Sequence, residues 1–318
     1  LYRAKAGMMP MPRRGSPPYQ LADALSCATG ATVTLTRGTL DTNSQAVTCW
    51  AFSSSNSNTR TLTLGSSTIT LTGAGATVWD TSTATNLTLN AGTSTITASG
   101  AGPTLLFGSG LTFGSLTLSG SGTAQIVSGG SATFANITRA GTAAKTDAFS
   151  VGSGSWTVTG TFTVTGNSAT NRVLVQSTTT GTARTITAAA VSLSNADFQD
   201  ITGAGAASWT GTSLGDCGGN TGITFSPATT RYAVAAGNWS STAVWSATSG
   251  GSAGASVPLP QDAAVLNASS GVGTITIDMP RACKDLTCTG YTGTLQRTLE
   301  TWIFGSAALG AGMTLAGT

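Results

Sequence analysis

TLTLGSSTITLTG (61–73), NLTLNAGTSTITASG (86–100) and SLTLSGSGTAQIVSG (115–129) write one short motif three times: an alternating Leu/Thr strand followed by a Gly/Ser turn. Along a strand, successive side chains point to opposite faces. Leu62 with Leu64, and Leu87 with Leu89, therefore share one side, and Thr61, Thr63 and Thr88 share the other. A unit this small cannot bury a core alone, so the units must stack on one another. Taking Leu62, Leu87 and Leu116 as equivalent positions gives steps of 25 and 29 residues, inside the roughly 20–50 residue range of stacked repeats. The expected fold is all-β: an elongated parallel β-solenoid, or β-helix, of irregular coils. Apolar side chains point inward, Thr and Ser form outward ladders, and Gly or Asn at the corners supply positive φ.

Composition supports the pattern read from these strands. Only 8% of the 318 residues are charged, against about 25% in ordinary domains, and 42 are Gly. A disordered chain is poor in apolar residues and rich in net charge. This one is 40% hydrophobic with a formal charge of +3. Helix formers such as Glu, Lys and Gln are scarce, and Gly, Thr and Ser interrupt every long window. No run of about 18 apolar residues exists to make a membrane-spanning helix, and short Gly-rich strands disfavour a porin-like barrel.

Three segments follow. Residues 1–20 carry Arg3, Lys5, Arg13 and Arg14 without an acid, together with Met8, Met9, Met11 and four prolines. Proline removes donors and fixes φ, so this segment reads as an extended arm, a tail or an anchor onto a partner. Residues 21–228 form a first β module closed by a cap built around Trp209, Asp216 and Asn220. Residues 229–318 open with Trp239 and Trp245, expected to plug the first coil, and then resume the rhythm in TITID, DLTCTG and MTLAGT. The chain starts at Leu and stops in mid-rhythm, which suggests a longer polypeptide.

Histidine is absent, which removes Ser-His-Asp and Cys-His nucleophile systems and the commonest metal ligand. Paired carboxylates remain the enzymatic route, with Asp197, Asp200, Asp216, Asp262 and Asp278 as candidates. On a strand, the three-residue spacing of Asp197 and Asp200 sends them to opposite faces, so hydrogen bonding in turns and caps is the preferred role. Cys27, Cys49, Cys217, Cys283 and Cys288 are too scattered for zinc. They read as buried thiols, with a Cys27–Cys49 disulfide open if the two face each other on neighbouring coils. GSGSG-type stretches lack the Lys of a phosphate loop, and beyond the arm 10 basic residues face 11 acids, so no nucleic-acid stripe is present. No catalytic, cofactor or metal site is expected. The seven tryptophans share no period that would make a sugar-stacking platform.

CWAFSSSNSNTRTLTLGSSTITLTG (49–73), DFQDITGAGAASWTGTSLGDCGGNTGITF (197–225) and GNWSSTAVWSATSGGSAGASVP (237–258) resemble repeat-bearing virion proteins of tailed bacteriophages. The resemblance covers most of the chain after residue 45. It implies a parallel β-helix in a tail fibre, spike or other appendage, exposed on the virion surface and non-enzymatic. It also implies homotrimeric association; the arm departs from the family pattern, so its attachment to other virion proteins is an expectation from the arm's own composition. Similar low-complexity repeats occur in secreted bacterial adhesins, which leaves recognition of a host-surface glycan as the alternative role and polysaccharide cleavage as a third.

Overall fold

The computed structural model describes residues 18–128, 130–205 and 208–317. Arg3, Lys5, Arg13 and Arg14 lie outside them. The protein is all-β, 48% strand and 2% helical. Strand pairing is parallel among the described residues, except where Thr230–Ala233 meets Trp245–Ser246. Parallel pairing needs a connection long enough to bring the chain back to its starting edge. Here the Gly/Ser turns and intervening strands of each repeat provide it.

Up to Asp216 the strands fall into two sheets. One holds Tyr19–Gln20, Gly38–Asp41, Arg60–Thr63 and Leu87–Asn90. The other, of 17 strands, carries two interleaved series. In the first series Leu25, Val47, Ile69, Ile96, Leu116, Ile137, Phe162 and Val191 occupy one register column. The second series runs from Thr32–Thr34 through Ala51–Ser53, Thr77–Asp80 and Thr104–Phe107 to Val173–Ser177 and Thr212–Asp216. The long strands Ala132–Ala140 and Trp156–Thr165 turn a corner, where the register shifts between Phe134 and Ile137 and between Val158 and Thr161.

The alternation read from the sequence places the core. Leu62, Leu71, Ile96, Leu118, Phe134 and Val164 are buried. Rings stack along the interior from Phe52 on Trp79, centroids 4.6 Å apart, to Phe134 on Trp156 at 5.9 Å. On the outer side Ser26, Thr48, Thr70, Thr97, Thr117, Thr138, Thr163 and Ser192 form one in-register hydroxyl column. Gly73, Gly100 and Gly120 stack at a corner. A Cβ at Gly100 would collide with the Gly73 carbonyl, and one at Gly120 with that of Gly100.

The motif's three copies are not equivalent, which corrects the spacing proposed above. Leu62 pairs with Leu89, not Leu87, which lies opposite Arg60. Leu116 belongs to the other sheet, opposite Ile96. TLTL and SLTL obey the same period-two pattern, and that pattern does not say which sheet a strand joins.

A second core begins at Ala233. Its strands pair in parallel series: Thr230–Ala233, Ala263–Val265, Asp285–Thr287 and Ala307–Ala308 in one, and Gly237–Asn238, Thr274–Ile277, Thr294–Arg297 and Thr314–Gly317 in another. Arg281–Cys283 pairs separately with Trp302–Ile303.

Candidate functional site

The densest cluster of charge lies where the second unit meets the first. Asp197 sits on Arg184–Gln199 between Ala196 and Phe198, whose side chains enter the first core. Alternation therefore turns Asp197 outward, yet it is fully buried because the second unit covers it. Arg172, 25 residues earlier, donates through Nε to Asp197 Oδ1 at 2.8 Å. Arg281, 84 residues later, donates through Nε to Oδ2 at 2.6 Å. Further donors of both guanidiniums are engaged. Arg172 donates to the Ser213 hydroxyl and carbonyl and to the Ala196 carbonyl, and Arg281 to the Arg172 carbonyl at 3.1 Å. Ser213 takes a left-handed φ of 55° there.

Burial pushes the Asp197 carboxyl up, but the charges and hydrogen bonds of Arg172 and Arg281 outweigh it and hold it below the usual range. A group with both oxygens engaged by guanidiniums and no solvent access cannot protonate a glycosidic oxygen or attack a sugar. Space for the cluster comes from Gly215, opposite Asp197 in the ladder. A Cβ there would collide with Asp197 Oδ1 and lie 2.8 Å from Pro260 Cδ. The neighbouring Cys217 thiol is pushed well above its ordinary value, by burial first and by Asp197.

Two further contacts flank the cluster. Lys145 Nζ meets Asp278 Oδ2 at 2.6 Å. Gln261 accepts from the Asp216 amide and donates to the Leu214 carbonyl.

The other acids are also tied to turns. Asp200 adopts φ 56° and accepts from the Gly181 amide. Asp262 accepts from Thr229 and the Leu259 amide, and Asp278 from Ser240 as well as Lys145. Asp216 accepts from the Gly218 amide and Asn220, and Asn220 donates to the Phe198 carbonyl and accepts from the Ile201 amide. That fastens the turn after Asp216 to the layer before it. Trp209 is buried on Gly203 and donates to the Ala204 carbonyl. Trp239 and Trp245 meet edge to face at 4.5 Å in the second core, with Trp245 Nε1 donating to the Trp239 carbonyl. Trp302 is half exposed and stacks on Phe304.

Sequence reasoning passed over the buried arginines. Arg60 donates to the carbonyls of Ser54, Asn58, Thr83 and Thr85. Arg139 reaches those of Leu118, Gly120, Gly122, Ala140 and Ala148, beside Asp147 at 3.7 Å. Each gathers several corner carbonyls on one guanidinium, and the Gly122 carbonyl accepts from the Ala148 amide as well as from Arg139. Burial lowers the pKa of both guanidiniums. The available signal was the spacing of Arg172 and Asp197, one repeat apart. No group of three or more potential metal-binding side chains occurs among the described residues. No family model, curated protein or solved structure matches the chain.

Proposed function

We propose that the ladders wind into a β-solenoid rod and that the rod is a structural module of a bacteriophage appendage, held to the particle through residues 1–20. The observation that carries this reading is the register column from Leu25 to Val191: eight strand layers, apolar inside and hydroxyl-bearing outside. At about 4.8 Å per layer they run about 34 Å. Such a stack gains reach by adding layers without a new fold. The described acids of the proposed carbohydrate chemistry are spent on turns and on the unit contact, which supports a mechanical role. The phage assignment draws on the sequence resemblance, as does a homotrimer on the virion surface.

Two measurements test it. Antibodies raised against residues 21–318 should label the outside of intact virions, and unlabelled particles would overturn the assignment. Light scattering on the purified protein should give three times the chain mass, and a stable monomer would remove the trimer.

A second reading, recognition of a host-surface glycan, has the half-exposed Trp302 with its stacked Phe304 in its favour. Aromatic faces of this kind stack on apolar sugar faces. A glycan array that shows binding abolished by Trp302→Ala would establish it, and an unreactive array would leave the rod as a spacer.

A further inference from the structure

The first two strand layers place two thiols in line. Ser26 lies opposite Thr48 in a parallel ladder, and the Cys27 amide donates to the Thr48 carbonyl at 2.8 Å. Cys27 therefore stands opposite Cys49, in a column that continues to Leu71, Ala98 and Leu118. Cys49 is buried in the core and Cys27 is half-buried against it. Neighbouring positions of a parallel ladder are about 4.7–4.9 Å apart, within the Cα separation of about 4.4–6.8 Å that a disulfide spans. Both side chains face the interior.

We infer that Cys27 and Cys49 are a disulfide-forming site that locks the first strand layer to the second. The Cys27 thiol, the more accessible, loses its proton to solvent. Its thiolate attacks a low-molecular-weight disulfide such as oxidised glutathione, forming a mixed disulfide and releasing one glutathione thiolate. Cys49 then loses its proton and displaces the second glutathione thiolate. Two electrons pass from the cysteine pair to the reagent, and two protons leave. Burial raises the Cys27 pKa, and burial together with the neighbouring Cys27 raises that of Cys49 to about 12. Closure is therefore slow at neutral pH and accelerates as the pH rises. Cys217 is enclosed by the ionic cluster, and Cys283 and Cys288 lie in the second core. Cys283 and Cys288 are near enough for Cys288 to help raise the Cys283 pKa, but they sit five residues apart in sequence and no ladder pairs them across two layers.

The test uses the full chain with oxidised glutathione at about pH 8.5, near the pKa of a free thiol. The expected product is lighter by two hydrogen atoms. Arg37 is exposed between the two cysteines, so trypsin cleavage there separates them. The two fragments should stay joined on denaturing gels without reductant and part when reductant is added. In Cys27→Ser they should part under both conditions, with far-UV circular dichroism confirming that the variant is folded. Peptide mapping of the wild-type protein decides the matter independently of the variant. The inference is overturned if folded, glutathione-treated protein keeps Cys27 and Cys49 separately alkylatable. A lasting glutathione adduct on Cys27, or a linked peptide holding Cys217, Cys283 or Cys288, overturns it equally.

Discussion

Asp197 balances one carboxylate between two guanidiniums in a place water does not reach. Removing one partner from such a buried group is far more damaging than never having built it, at about 3–5 kcal/mol. Asp197→Asn is expected to lower unfolding stability by that order, read by urea titration of the far-UV signal. The sign with pH follows from the direction of the shift. Asp197 is depressed in the folded state, so its stabilising contribution is complete above the unfolded value of about 3.9. It is lost only as the pH falls below that value and through the lower folded one. The difference in stability between wild type and Asp197→Asn should thus be constant from about pH 5 to 7 and shrink below about pH 4; a difference that vanishes at pH 6 would rule out an ionised Asp197. Gly215→Ala, which drives a methyl into Asp197 Oδ1 and Pro260, is expected to cost about 1–3 kcal/mol. Half of this cluster was legible in the sequence. Stacking sets Asp197 opposite Leu174 in the layer before it, two residues from Arg172, close enough for the long guanidinium side chain to reach the carboxylate. Arg281 comes from another unit, and its approach depends on how the two surfaces dock, which no period encodes.

At the scale of the strand, the period-two alternation decides the inside and outside of every layer. Leu116 and Leu118 are buried, while Thr117 between them keeps its place in the outer hydroxyl column. Leu116→Ala should therefore cost about 2–5 kcal/mol, the range of a truncated core side chain. Thr117→Val should change stability by no more than about 0.5 kcal/mol. Equal effects in parallel chemical denaturation experiments would contradict the assignment of faces. The same alternation was mute about sheet membership. TLTL at 61–64 and SLTL at 115–118 are near-identical strings in different sheets, because loop lengths between layers vary and the pleat fits either. Corners were equally hard to read. Arg60 opens the strand Arg60–Thr63 and Arg139 lies near the end of Ala132–Ala140, and both are buried as donors to turn carbonyls.

Across the whole molecule, two hydrophobic cores meet through a small set of polar contacts: the Arg172–Asp197–Arg281 cluster, the Lys145–Asp278 pair and the Gln261 bridge. Burial separates these contacts by their response to salt. Lys145 and Asp278 retain 26% and 16% side-chain exposure, and at 1 M salt the screening length contracts to about 3 Å, so their attraction weakens. The Asp197 cluster excludes the screening ions and keeps its strength. The two cores should therefore unfold in one calorimetric transition at low salt and still in one at 1 M NaCl. Arg281→Met leaves Arg172 bonded to Asp197 and takes away the second unit's share of the cluster. That variant should divide the transition into two, since units without a shared buried network lose their reason to unfold together. A single transition in Arg281→Met would mean that Gln261 and the packing of Pro260 on Gly215 suffice to couple the cores. Two transitions in the wild-type protein would mean that the buried cluster sets the orientation of the units without linking their stability.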